Sequence, residues 1–149
     1  MPDSRAGGDP LRKQYHFWRS TDSSSGGRDA WDVDRLIALA ASLPRLRIPV
    51  DAIHELDEVY WFDEEQHPTC RKVLEHLKLI EEAELAYPII LAADGRVMDG
   101  MHRVAKAALR GQAEIVAVRF ERTPEPDYTD CHPSELPYDK SDKANDPGG

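Results

Sequence analysis

Residues 88–111 read PIILAADGRVMDGMHRVAKAALRG, and this stretch decides the fold class. Residues 88–92 predict a short apolar strand, Asp94 and Gly95 a tight turn, and residues 96–98 a second strand. A break at Asp99 and Gly100 is followed by apolar residues at helical spacing until Gly111, a typical C-terminal cap. With a further strand at residues 115–120, this unit predicts a mixed α+β fold.

The preceding sequence predicts two helices and an edge strand. The first helix is expected over residues 30–43, behind an Asp29 cap and before Pro44. Residues 47–53 are predicted to form an edge strand, because Pro49 lacks a donor for a sheet ladder. Residues 69–84 again show helical spacing, with acidic residues on the outer face and apolar residues at Val73, Leu77 and Ile80.

The length of 149 residues fits one domain. We expect a disordered N-terminus at residues 1–12, a domain at 13–123, and an acidic, proline-rich tail at 124–149. This tail holds seven acids and two lysines, so it is expected to be partly disordered or draped over the domain. Its candidate anchors are Tyr128, Leu136 and Tyr138.

Charge and hydropathy exclude several classes of protein. The net charge of −9 disfavours a nucleic-acid partner, because phosphate backbones are held by an excess of basic residues. Eleven acids against three bases lie in residues 49–88, whereas residues 89–123 have six bases against four acids. No apolar run approaches the roughly 20 residues of a membrane span, and the N-terminus lacks an apolar signal core. The sequence therefore predicts a cytoplasmic protein without a membrane partner.

The two cysteines do not predict a disulfide or a zinc site. Cys70 and Cys131 are far apart in the chain, and we interpret both as reduced thiols. His67, His76 and His132 lie near them in sequence, but without the repeated spacing of structural zinc sites.

The residues Asp99, Gly100, Met101, His102 and Arg103 stand where a predicted strand ends and a helix begins. Backbone N–H groups at a helix N-terminus bind anions, and a glycine allows close approach. A cation in the first turn is disfavoured by the helix dipole, so Arg103 suggests a bound anion. In the alternative interpretation, Asp99 caps the helix and Arg103 pairs with an acid of residues 49–88.

Residues 88–111, together with IPVDAI at residues 48–53, resemble the core motif of the ParB and sulfiredoxin superfamily over residues 46–120. The resemblance implies a single domain with a small mixed sheet, flanking helices and a nucleotide site at a helix N-terminus. Sulfiredoxins carry a catalytic cysteine where this chain has Met101, and a thioether is not a thiolate nucleophile. Partitioning ParB proteins have arginine pairs in the equivalent box and a helix-turn-helix domain after it, whereas here Phe120 leads into the acidic tail, so we do not expect centromere binding or DNA clamping. The DG-x-HR form is similar to that of free serine kinases.

The serine-kinase resemblance implies a site and a reaction. Residues 99–103 would bind the phosphates of ATP or ADP with Mg²⁺, and His102 would take part in catalysis. The catalytic acid follows the first strand in these kinases, so Asp57, or Glu58 next to it, is its counterpart here. The acceptor would be a hydroxyl-bearing metabolite such as a serine-like amino acid.

Other interpretations of the same residues stay open at this point. The acids of residues 55–65 could form a solvated loop or hold Mg²⁺. Tyr60, Trp61 and Phe62 are more typical of packing than of a substrate platform. A non-catalytic nucleotide-binding regulatory module is the main alternative to an enzyme, and a DNA-associated ParB-like protein or nuclease is the second. The sequence predicts nothing about the oligomeric state.

Overall fold

The computed structural model describes residues 13–20 and 26–138, which form an α+β fold with two small sheets. The predicted fold class is confirmed at this level. The predicted disorder of residues 1–12 and of the end of the tail, residues 139–149, concerns positions outside the described residues. The elements are β1 (Tyr15–Arg19), β2 (Arg28–Asp32), α1 (Val33–Ala40), β3 (Leu46–Pro49), α2 (Cys70–Glu82), β4 (Ile89–Leu91), β5 (Val97–Asp99), α3 (Met101–Leu109), β6 (Glu114–Arg119) and β7 (Tyr128–Cys131).

The larger sheet has the strand order β3-β6-β4-β5. Strands β4 and β5 form the predicted antiparallel hairpin, and its turn contains Gly95 with a φ of +92°. Helix α3 then connects β5 to β6, which pairs parallel to β4. Strand β3 lies at the edge of the sheet, as Pro49 predicts. The strand was predicted over residues 47–53, but it ends at Pro49, and a 3₁₀ turn follows over Val50–Ala52.

Gly111 caps the C-terminus of α3, as its position after the helical residues predicts. Gly111 has a φ of +71°, and its N–H donates to the Ala108 carbonyl. The N–H of Gln112 donates to the Ala107 carbonyl at 2.9 Å, which completes a Schellman cap. The predicted cap at Gly111 is therefore confirmed.

The smaller sheet, with the order β1-β2-β7, was not predicted. Ala30 and Trp31, expected in a helix, belong to β2 and are buried. Helix α1 starts only at Val33, and its cap is Asp32, whose carboxylate accepts from the Asp34 N–H at 2.9 Å, rather than Asp29. Pairing on both sides of β2 outweighs the local helical pattern, because it buries Ala30 and Trp31 and satisfies their backbone.

Residues 124–138 contribute to this sheet. Strand β7 pairs antiparallel with β2. The rings of Tyr128 and Tyr138 both pack edge-on against Tyr15, and Leu136 is buried. Residues 128–131 are therefore a strand of this sheet, and Tyr128, Leu136 and Tyr138 pack within the fold.

The strands of the larger sheet separate two apolar layers. Ile89 and Leu91 lie in the layer beneath α3, while Ile90 lies in the layer beneath α1. Val97 and Met98 on the next strand divide in the same way. This alternation follows from the period of two along a strand, and it makes β4 fully buried.

Candidate functional site

A cavity of about 220 Å³ lies at the start of α3, where residues from both sheets meet. The predicted phosphate-binding residues Asp99–Arg103, which we call the helix-start box, all line it. Tyr15 and His16 of β1 form another part of its wall, and so do Tyr60 and Trp61 from the loop before α2. The structure thus brings the helix-start box together with residues that the sequence did not connect to it.

Gly100 is the N-cap of α3 and has a φ of +108°, a conformation that favours glycine. A Cβ at this position would lie 2.6 Å from Arg103 Nη2 and 2.8 Å from Ile89 Cγ2. The glycine is therefore required by the close approach of protein atoms. The N–H groups of Met101 and His102 are in the first turn and have no intrahelical acceptor, no side chain of the N-cap covers them, and both residues line the cavity.

Arg103 is buried, with 1 % of its surface exposed, and holds the box together. Its Nη2 donates to Asp99 Oδ2 at 3.0 Å and to the Pro88 carbonyl at 3.3 Å. Arg103 does pair with an acid, as one interpretation predicted, but the partner is Asp99 and not an acid of residues 49–88. Asp99 is paired to this guanidinium, and the N-cap is Gly100. Arg103 therefore fixes the start of α3 against β4 and β5.

His102 lies beside a second histidine that the sequence did not connect to the site. His102 Nε2 is 2.9 Å from Nδ1 of His76 on α2. Both imidazoles stack on Trp61, with centroid distances of 4.6 Å for His102 and 4.7 Å for His76. Trp61 therefore packs on the histidine pair and also lines the cavity.

Burial keeps the histidine pair neutral at pH 7. It lowers the pKa of His102 to about 4, assisted by the charges of His76 and Arg103. Burial also lowers the pKa of His76. In a neutral pair one ring nitrogen donates and the other accepts, so His102 is held in one orientation by His76. The sequence offered little signal for this pair, because 25 residues separate the two histidines.

His16 is the most unusual polar residue of the cavity. It is 8 % exposed, and its Nε2 is buried without a hydrogen-bond partner among the described residues. Burial, with the nearby charge of Arg96, lowers the pKa of His16 to about 3. A buried nitrogen without a partner costs stability, and His16 belongs to the wall of the cavity. The aromatic residues Tyr15, Phe17 and Trp18 have a propensity for strands, but no local pattern in the sequence places His16 in a cavity wall.

A second cavity of about 350 Å³ shares Tyr15, His16 and Tyr60 with the first. Glu58 lines this adjoining cavity and Asp57 lines neither of the two, although both side chains are exposed. Glu55 also lies in its wall, but it is buried and accepts from the Val97 N–H at 2.6 Å. Of the two acids singled out from the sequence, Glu58 is therefore the one beside the cavities.

The acidic segment does not form a preformed metal cluster in the described part of the chain. Residues 13–20 and 26–138 contain no group of three or more histidine, cysteine, aspartate or glutamate side chains that could hold a metal ion. Asp63 accepts from the Glu65 and Gln66 N–H groups of its own turn, which lowers the pKa of Asp63. Both cysteines are free, Cys70 at the surface and Cys131 partly buried.

Comparisons with known proteins add nothing to this geometry. No family model, no curated protein and no solved structure matches the chain. Among the described helices, none is long and apolar enough to cross a membrane. Function has to be inferred from the cavities and the residues that line them.

Proposed function

We propose that the protein is a nucleotide-dependent phosphotransferase that acts on a hydroxyl-bearing small metabolite, with a serine-like amino acid as the first acceptor to test. The observation that carries the proposal is the open N-terminus of α3 at a cavity that His16 also lines, a residue whose buried Nε2 has no hydrogen-bond partner among the described residues. A helix N-terminus and a neutral imidazole N–H are donors, and phosphate oxygens are acceptors.

The residues of the cavity fit the phosphates of ATP or ADP. The N–H groups of Met101 and His102 supply the partial positive charge of the helix end. Tyr60 remains a protonated donor, because burial and the charges of Glu55 and Asp99 raise its pKa. Mg²⁺ would be held mainly by phosphate oxygens and water, with Glu58 as the nearest candidate carboxylate of the chain.

Glu58 is the residue that we assign to the chemistry. Phosphoryl transfer needs a carboxylate that orients the attacking hydroxyl and takes its proton. The acceptor oxygen would form a bond to the terminal phosphorus while the bond to the departing nucleotide breaks, and the hydroxyl proton would pass to Glu58. Because Glu58 lines the cavity next to the helix start, the acceptor would lie between them. His102 would orient a phosphate through its backbone N–H.

The order of elements in residues 46–120 supports the ParB and sulfiredoxin resemblance that suggested this activity. An edge strand, a hairpin, a glycine-capped helix and a parallel return strand follow one another as the motif implies. We propose that this segment belongs to that superfamily, that its closest functional likeness is to the free serine kinases, and that the protein acts in the cytoplasm.

The activity can be tested with two matched variants. The protein is incubated with ATP or ADP, Mg²⁺ and a pool of hydroxyl-bearing amino acids and nucleosides, and phosphorylated products are detected by mass spectrometry. Glu58→Gln should reduce turnover at least a hundredfold, whereas Asp57→Asn, one residue away and outside both cavities, should stay within about twofold. Absence of product with every donor, from a folded protein that binds nucleotide, would exclude the phosphotransferase.

A non-catalytic nucleotide-binding module is the second candidate, and one observation favours it. Arg103 is tied to Asp99 and Pro88, and His102 is held by His76, so neither side chain is available to follow a moving phosphoryl group. For such a module, calorimetry should give the same ADP affinity for the wild type and for Glu58→Gln, and neither protein should form a phosphorylated product. Loss of turnover in Glu58→Gln with retained ADP binding would instead support the enzyme.

A further inference from the structure

Helix α2 has an apolar stripe that the domain does not cover. None of its 13 residues is buried, and the three apolar residues Val73, Leu74 and Leu77 are 47 %, 62 % and 39 % exposed. The exposed side of α2 therefore carries apolar residues as well as the acids predicted there. The opposite side of α2 faces α3, where His76 meets His102 and the Ala83 carbonyl accepts from Lys106 at 2.7 Å. Helices of globular proteins normally bury such a stripe.

The charges beside this stripe alternate in sign along the helix. Arg71, Glu75, Lys78 and Glu82 are all exposed, and their spacing places them along one side of the helix. Their signs read plus, minus, plus, minus from the N-terminal to the C-terminal end. The first turn has no acid and the last turn no base, which is opposite to the order that the helix dipole favours. Within the described residues, none of the four forms an ion pair across the fold.

We propose that α2 is a self-association surface, on which a second copy of this chain docks its own α2 in antiparallel orientation. Read backwards, the four signs become minus, plus, minus, plus, so an antiparallel copy places Arg71 opposite Glu82 and Glu75 opposite Lys78. A parallel copy would oppose like charges throughout. The antiparallel arrangement also joins the stripes of Val73, Leu74 and Leu77 and sets the two helix dipoles against each other favourably.

The size of the surface sets the expected affinity. A helix of 13 residues is about 20 Å long, so the pair covers less than the roughly 1,200–2,000 Å² of a standard stable interface. We therefore expect a reversible dimer with a Kd of about 10–100 μM. The surface lies on the side of α2 that faces away from α3 and the helix-start box, so we expect each copy to keep its own cavity accessible.

Sedimentation equilibrium of the full chain over about 5–500 μM tests the proposal. Leu74→Asp should weaken the dimer at least tenfold while the circular dichroism spectrum stays unchanged, because Leu74 is exposed. Leu39→Asp is the matched control, since Leu39 is similarly exposed on α1, in the other layer of the domain. A wild type that is monomeric throughout, or a dimer that Leu74→Asp leaves intact, would overturn the proposal.

Charge reversal separates self-association from docking of a different protein. The double variant Arg71→Glu, Lys78→Glu makes the row wholly acidic and should weaken the dimer at least tenfold, and more at low salt. Adding Glu75→Lys and Glu82→Lys reverses all four charges. Opposite charges then face each other again in an antiparallel pair of this variant, so the dimer should be restored. The fourfold variant should not form heterodimers with the wild type, because like charges would then face each other. A fourfold variant that stays monomeric, or that pairs freely with the wild type, would overturn the antiparallel arrangement.

Discussion

The two sheets of this protein are built in different ways. The sheet β3-β6-β4-β5 comes from one continuous segment, residues 46–119, and its centre is a hairpin, a helix and a return strand. The sheet β1-β2-β7 combines strands from both ends of the chain, with Arg28–Asp32 between Tyr15–Arg19 and Tyr128–Cys131. The first sheet carries the helix-start box, and the second carries His16. The candidate site therefore exists only where a locally encoded sheet meets a sheet assembled over long distances.

Removing residues 124–149 should have the largest effect on this arrangement. The truncation deletes β7, the buried Leu136, the Pro124 carbonyl that accepts from Trp31 Nε1 and the Asp127 carboxylate that accepts from the Asp32 N–H. Together these losses should lower the free energy of unfolding by roughly 4–6 kcal/mol, measured by urea denaturation.

A milder variant keeps this prediction testable if the truncated chain does not fold. Leu136→Ala should cost roughly 2–3 kcal/mol, because Leu136 is 7 % exposed. Unchanged stability in both variants would mean that residues 124–138 contribute nothing to the second sheet.

Gly100→Ala should have the next largest effect, in the locally encoded sheet. The alanine would have to keep the positive φ of Gly100, and its Cβ would collide with Arg103 Nη2 and Ile89. The free energy of unfolding should therefore fall by roughly 2–4 kcal/mol. Gly95→Ala is the control, because Gly95 also has a positive φ but a Cβ there meets nothing within 4 Å. That variant should cost only about 1–2 kcal/mol. Equal losses at both positions would contradict the tight packing of the box.

Stability should also decrease in mild acid. His102 and His16 have folded-state pKa values of about 4 and about 3, below the ordinary value of 6.5. The unfolded chain therefore binds more protons below pH 6.5, and the stabilisation present above that pH is lost as the pH falls towards the folded values. Between pH 7 and pH 5 the loss should be roughly 3–4 kcal/mol for the two histidines together.

Urea denaturation at several pH values measures this dependence. His16→Phe should reduce its slope between pH 5 and pH 6 by about one proton, because the variant lacks one of the two buried imidazoles. A stability that is constant from pH 7 to pH 5 would show that neither histidine is buried in a neutral form.

Sequence patterns predicted the locally encoded sheet because its signals are local. The Asp94-Gly95 turn, Pro49 at the edge strand and the Gly111 cap each act over a few residues. The second sheet gave no such signal, since β2 forms only when residues 15–19 and 128–131 pair with it. Residues 30–32 were consequently expected to be helical.

For the candidate site too, the sequence predicted the residues that are close together in the chain and not those brought in by tertiary packing. Residues 99–103 were found because a glycine between a strand and a helix is visible in one stretch of sequence. The sequence did not reveal His16 or His76, since each reaches the box only through tertiary packing. It also placed Asp57 ahead of Glu58, because counting residues from a strand does not tell which carboxylate borders a cavity.

The proposed function depends most on an anion bound between the two sheets, with His16 as a ligand. Calorimetric titration with ADP tests this directly, using His132→Phe as a control because His132 is exposed and lines neither cavity. The wild type and His132→Phe should bind ADP alike, and His16→Phe should bind at least tenfold more weakly, about 1.4 kcal/mol. ADP that binds His16→Phe as tightly as the wild type, or that fails to bind the wild type at millimolar concentration, would contradict it.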